Sequence, residues 1–351
     1  MTTESLVAET ATRLFRDLCD PQAIIAARGD GWKAGAWSAV EDAGLSLAWV
    51  PDDLGGAGAD LADGFAVLRE TGRFAVALPV AETLLAGWLL SRAGISAPSG
   101  IMACGPARDG DRVTLAKDGT VSGRLRSIAF GKDARHLAVL VIRDSGSPAV
   151  VLLSTEGLRI NDGTGPAGDS LSTIVLDRVR PIAVKDAPLE PDALLLMGAA
   201  TRAMQMAGAL EAILDIGVRY ANERVAFGKP IAKFQAVQHN LARLAGETAA
   251  ALAAAGSAAD AIAGGADQDA LFLEIASAKI RVGEAAGEGA AIAHQVLGAI
   301  GFTREHILHR FTQRLWAWRD DFGSESQWAV KLGSRVAANG ADALWPMLAA
   351  R

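Results

Sequence analysis

In 351 residues the sequence has a single tyrosine and two cysteines, Cys19 and Cys104. Two thiols cannot build a disulfide framework or a cysteine metal cage, and their scarcity fits a reducing, cytoplasmic compartment. Positive charge is not in excess either. The 34 Lys and Arg stand against 40 Asp and Glu for a net charge of −6, which argues against a general nucleic-acid binder. A membrane span needs about 20 uninterrupted apolar residues. The most apolar long stretch, 193–218, is broken by Arg202, Glu211 and Asp215 and reads as a buried or interface helix. The N-terminus, MTTESLVAETATRLFRDL, lacks the basic-then-apolar layout of an export signal and reads as an amphipathic helix. No Gly-x-Ser-x-Gly elbow and no P-loop occurs. Gly55-Gly-Ala-Gly58 has Leu61 where a dinucleotide fingerprint needs glycine, and no parallel βαβ unit follows. His306-x-x-His309 lacks the glutamate and third ligand of a zinc helix.

What is present is a folded, multi-domain chain, 50% hydrophobic and 21% charged. Residues 1–97 read as helical, with Val7, Ala11, Leu14 and Leu18 at helical spacing and a Pro- and Gly-rich break at 50–60. Residues 98–187 change character: β-type runs at 112–116, 137–142, 149–153 and 172–176 alternate with turn clusters, which predicts a small β-barrel or sandwich. Residues 188–351 return to long helices, expected over 192–223, 235–262 and 269–297. The expectation is an α+β, three-part architecture: an N-terminal helical domain, a middle β-domain and a C-terminal helical bundle.

Three segments, in order, carry a resemblance. The first is Val50-Pro-Asp-Asp-Leu-Gly-Gly-Ala-Gly58. The second is Arg224-Val-Ala-Phe-Gly-Lys-Pro-Ile231, followed by Phe234-Gln-Ala-Val-Gln-His239. The third is Gln295-Val-Leu-Gly-Ala-Ile-Gly-Phe302. Together they resemble the acyl-CoA dehydrogenase family, whose helical, β and four-helix domains match the order just read. The resemblance implies FAD as cofactor, an acyl-CoA substrate and electron transfer flavoprotein as acceptor. It assigns cofactor contact to Arg224, Phe227, Phe234, Gln235, Gln295, Gly298 and Ala299. Residue types agree: Arg224 offers a planar guanidinium to a pyrophosphate, the phenylalanines flat apolar contact, and Gly298 and Ala299 a backbone open to close approach.

The chain departs from the family where chemistry is done. The α-proton of the thioester needs a carboxylate base, and counting from the motifs places the family's two base positions on Phe322 and Gly198. Asp321 adjoins the first and Glu325 follows it, so a relocated base is one alternative. The β-domain segments that cover the flavin have also lost their Thr-Glu-Pro core and tryptophan, reading 101–110 and 123–131 instead. In the family one subunit's β-domain holds the flavin ring while a neighbour supplies the two C-terminal motifs. This chain keeps what is offered to a neighbour and lacks what serves its own flavin, and its Phe322-Gly-Ser tail resembles one subunit of the heteromeric (α2β2) acyl-CoA dehydrogenases of steroid side-chain degradation. The resemblance therefore implies a non-catalytic subunit paired with a paralogous catalytic one. The alternatives are a self-sufficient homo-oligomer using Asp321, and a structural relative without redox function.

Overall fold

The structure, a computed structural model, describes residues 5–27 and 29–349. The first four residues of the expected N-terminal helix, residue 28, and residues 350–351 of the expected C-terminal domain lie outside the described residues.

Five helices come first: α1 (Leu6–Leu18), α2 (Pro21–Ala27), α3 (Trp32–Asp42), α4 (Leu61–Arg73) and α5 (Val80–Arg92). Ser5 caps α1 by accepting from Ala8 N–H, and Asp60 caps α4 by accepting from Asp63 N–H, each satisfying an orphan donor of the first turn. Helix α5 carries no solvent face to speak of. Val80 to Leu90 is almost continuously buried, because the helix lies under the sheet and beside the C-terminal bundle.

Eight strands follow: β1 (Met102–Gly105), β2 (Val113–Leu115), β3 (Val121–Ala129), β4 (His136–Arg143), β5 (Pro148–Ser154), β6 (Arg159–Asn161), β7 (Leu171–Val179) and β8 (Ala183–Asp186). They form one mixed sheet in the order β6-β7-β3-β2-β4-β5-β8, with β1 parallel to β4 beside β2. The central pair β4 and β5 is apolar on both faces, whereas β7 alternates. This is the difference between a strand covered on two sides and one covered on one.

The remainder is helical: α6 (Ala193–Glu223), a two-residue hairpin β9 (Val225–Ala226) and β10 (Lys229–Pro230), then α7 (Gln235–Ala263), α8 (Gln268–Leu297), α9 (Leu308–Asp320), α10 (Glu325–Asn339) and α11 (Ala341–Ala349). Helix α6 is long and apolar enough to cross a bilayer by length and composition, but 89% of its most apolar window is buried inside the molecule. It is the axis of the bundle. It meets α4 at two facing glycines: a Cβ on Gly72 would lie 2.0 Å from the Gln205 carbonyl, and one on Gly208 2.1 Å from the Arg69 carbonyl. Only glycine permits backbones to approach this closely. We propose domain limits at 97/98 and 187/188, within the connections 93–101 and 187–192 that separate these elements.

Candidate cofactor surface and active centre

The Ala-rich helices α7 and α8 run antiparallel, joined by a tight turn around Gly264 and Gly265. Ion pairs Arg243–Glu288 and Glu247–Arg281 fix their register. Continued along the hairpin, that register brings Gln235, at the start of α7, beside Gln295, near the end of α8. The β9–β10 hairpin leads from α6 into the same end, pinned by Ile231 N–H donating to the Arg224 carbonyl at 2.8 Å. All seven residues expected to touch a cofactor therefore gather at one end of the bundle.

They are not folded into a pocket of this chain. Arg224, Gln235, Gln295, Gly298 and Ala299 are exposed, and only Phe234 is half-buried. Phe227, at φ +51 on the hairpin tip, is 95% exposed. A phenylalanine in the left-handed region is a strained position, and here the strain projects the ring into solvent. Phe227 meets Phe234 edge-to-face at 6.2 Å, and Lys229 sits 4.6 Å over the Phe234 ring. Exposed Phe302 stacks on His294 at 4.4 Å, and the Trp316 ring lies near-parallel to His294 at 6.3 Å. With Arg224, Lys229 and Lys233 exposed, the surface is aromatic and cationic.

At the other expected location the two base positions do meet. The Phe322 ring lies directly on Gly198, where a Cβ would come within 2.3 Å of it. Phe322 has φ +54 and is 5% exposed. Its carbonyl accepts from the indole of buried Trp328 at 3.0 Å, and this anchors the loop between α9 and α10. One turn along α6, Arg202 donates to Glu82 on α5 at 2.5 Å, to Gln205 at 2.6 Å and to Asp321 at 3.1 Å. Gln205 in turn donates to Thr71 at 2.9 Å. Burial works against the Arg202 charge, but Glu82 and then Asp321 outweigh it and hold the guanidinium pKa up. Beneath, Lys279 of α8 is fully buried and donates to the carbonyls of Trp318 and Arg319 at 3.0 and 2.7 Å, capping α9. Burial lowers its pKa to about 7.

Little room remains. The space between Glu82, Cys104, Ala107, Ser127, Arg202 and Phe322 amounts to about 10 Å³. An adjoining cavity of about 230 Å³, edged by Arg108, Phe130 and Pro166, is also lined by the four carboxylates of Glu82, Asp169, Asp320 and Asp321. Asp321 is bound to Arg202, Asp320 lies 3.7 Å from Arg319, and Glu325 packs its Cβ 2.8 Å from the Cβ position of Gly283. Asp321 is therefore committed to Arg202, and Glu325, whose Oε2 lies 3.7 Å from Arg319 without a hydrogen bond, lines neither space at the centre. Of this network the sequence marked Arg202, as an interruption of an apolar stretch, and Asp321, as a candidate base. Glu82, Gln205 and Lys279 had no local signal.

Residues 192–319 match the family model for the acyl-CoA dehydrogenase C-terminal domain. Over 312 residues, 88% of this chain and 89% of the relative, the sequence is 28% identical to the acyl-CoA dehydrogenase IpdE2 of Mycobacterium tuberculosis. The chain belongs to the acyl-CoA dehydrogenase family. A second relative, the acyl-CoA dehydrogenase FadE34 of the same organism, is 32% identical over 308 residues, which are 85% of this chain and 41% of that longer protein. Among solved structures, the ChsE4-ChsE5 complex from Mycobacterium tuberculosis contains a chain of the same fold. It has a TM-score of 0.85 and 21% identity, covering 97% of this chain and 99% of that one.

Acyl-CoA dehydrogenases are FAD-dependent oxidoreductases, and the chain answers to FAD in two opposite ways. The open end of the bundle fits part of it: exposed guanidinium and ammonium groups beside flat rings suit a pyrophosphate and its nucleoside. The centre does not fit the flavin ring. Its free spaces lie below the ~300 Å³ at which small-molecule pockets begin.

Proposed function

We propose that this chain is the cofactor-donating, non-catalytic subunit of a heteromeric acyl-CoA dehydrogenase. The observation that carries the reading is the pairing of an exposed cofactor surface with a plugged centre in one chain. Arg224 and the rings of Phe227 and Phe234 would meet FAD held by a paralogous partner, with Gln235, Gln295, Gly298 and Ala299 completing the contact. FAD held there would supply the acceptor for the hydride that leaves Cβ of the acyl-CoA. In this chain Phe322 and the Arg202 network exclude substrate and water from the corresponding position, so the base belongs to the partner. A similar solved structure that is itself a two-component complex, ChsE4-ChsE5, supports the heteromeric form. A bulky acyl group such as a steroid side chain is the substrate class in keeping with the resemblance. Electron transfer flavoprotein would be the acceptor, and the cytoplasm the setting.

The self-sufficient alternative needs Asp321 as base, and a carboxylate tied to a buried guanidinium makes a poor one. Expressed alone, the chain should purify colourless and leave acyl-CoA unoxidised. Co-purified with its partner it should be yellow, and Arg224→Ala should lower the FAD content of the complex without dissociating it. A lone chain that carries stoichiometric FAD and oxidises acyl-CoA overturns the proposal.

A further inference from the structure

Helix α10 carries its charges on the inner side. Glu325 packs on Gly283 of α8, Lys331 pairs with Asp109 at 2.9 Å, and Arg335 pairs with Asp269 and lies 4.5 Å over the Phe272 ring. The side turned to solvent is small and neutral: Ala329, Val330, Gly333, Ser334, Ala337 and Ala338. Helix α11 continues this face. It rests on α10, has no buried residue, and exposes Leu344, Trp345 and Leu348, the tryptophan to 75%. Of the 17 exposed residues between 326 and 349, one, Asp342, is charged. A surface helix turns its charges to water and its apolar residues inward, so a face with the reverse pattern is suited to being covered.

Charge and shape select the occupant. With a net charge of −6, two copies of the chain repel unless they meet where neither is charged. A two-fold contact lays one patch against itself, so the patch must be neutral and self-complementary. Here both halves of such a contact stand side by side. Gly333, with Ala329 and Ala337 one turn to either side, forms a shallow strip, and a Cβ on Gly333 would meet nothing within 4 Å. Beside it Trp345 and Leu348 stand out as knobs. A lipid surface suits the face less well, because helices that lie on membranes carry Lys and Arg and the one charge here is acidic. The 17 exposed residues approach the ~20–30 per side of a standard interface.

The cofactor end is a separate surface. It is cationic, and it lies about 40 Å away, the rise of α8 from Asp269, which holds Arg335, to Gln295. Both surfaces can therefore be engaged at once.

We propose that the α10–α11 face joins two copies of this chain about a two-fold axis, with Trp345 and Leu348 of each copy seated on the Gly333 strip of the other. The inference does not depend on cofactor donation. Where that reading also holds, two copies joined in this way, each with its own catalytic partner, make a four-chain enzyme.

The test is sedimentation velocity of the full chain over a wide concentration range. The wild type should form a dimer. Trp345→Glu, at an exposed position, should raise the dimer dissociation constant at least about thirtyfold, the scale of an interface hot spot. Gly333→Leu should act in the same direction by filling the strip, with no loss in melting temperature, since leucine is the better helix former. Phe227→Glu, at the cofactor end, should leave the dimer intact. A wild type that stays monomeric, a dimer indifferent to both face variants, or one broken by Phe227→Glu overturns the proposal. So does release of the catalytic partner by Trp345→Glu, which would make that partner the occupant. In the complex with that partner, Trp345→Glu should halve the assembly and leave its FAD content unchanged. Arg224→Ala should do the opposite, so this proposal and cofactor donation fail separately.

Discussion

Arg202→Met isolates what holds the centre closed. The guanidinium satisfies Glu82, Gln205 and Asp321 at 2.5, 2.6 and 3.1 Å, with 3% of the arginine side chain and 8% of Glu82 exposed. Methionine preserves much of the volume but leaves the Glu82 carboxylate buried and unpaired. Breaking a buried pair from one side costs about 3–5 kcal/mol, a large part of the ~5–15 kcal/mol of a typical domain. A fall of about 10 °C in Tm is expected, read by circular dichroism at pH 7. Adding Glu82→Leu removes the stranded charge, and replacing a buried pair by apolar residues is often neutral. The double variant should therefore recover about 2 kcal/mol or more, while Asp321, at 15% exposure, takes up water. A single variant that loses less than about 1 kcal/mol, or a double no more stable than the single, would refute the account.

Restoring a base by Phe322→Glu should yield no acyl-CoA oxidation in a dye-reduction assay of the lone chain. It should also destabilise it by about 3–5 kcal/mol, the scale of deleting a buried phenylalanine, since only about 10 Å³ is free there. Lys279 gives a pH signature. With its pKa lowered to about 7 from an ordinary 10.5, the folded chain binds fewer protons than the unfolded one between those values, so stability should rise with pH across that window. Urea midpoints at pH 7 and 9.5 should show this rise in the wild type and its reduction in Lys279→Met. Cys19 and Cys104 are both buried, with burial pushing each thiol up to about 12. Neither should react with a thiol reagent at pH 8 until the chain is unfolded.

The long helices were legible because their apolar residues recur at helical spacing and their ends carry signals. The expected 192–223, 235–262 and 269–297 lie within about a residue of α6, α7 and α8. Strands β4 and β5 were legible as compact apolar runs. Strand β3 was not: its pairing with β7 is broken by register shifts, and Gly123 and Ser127 take positive φ, so the alternation that announces a strand never develops. At the centre, counting from motifs singled out Phe322 and Gly198, and the two touch. The charge network around them was invisible, because its partners stand 119 and 120 residues apart in the chain and pairing across such separations leaves no local pattern. Conversely, the exposure of Phe227 could not be read from a residue type that is usually buried.

The plug also bears on the direction in which this scaffold can change. A catalytic glutamate at position 322 would have to replace the ring seated on Gly198, beside an arginine already shared between two carboxylates and a glutamine. Removing the arginine first strands Glu82; removing Glu82 first strands the arginine; introducing the glutamate first trades a packed ring for a buried carboxylate with no partner of its own. Every single-step route back to a self-sufficient dehydrogenase passes through a destabilised chain. The division of labour between two subunits proposed here, once built into side chains this way, would work as a ratchet.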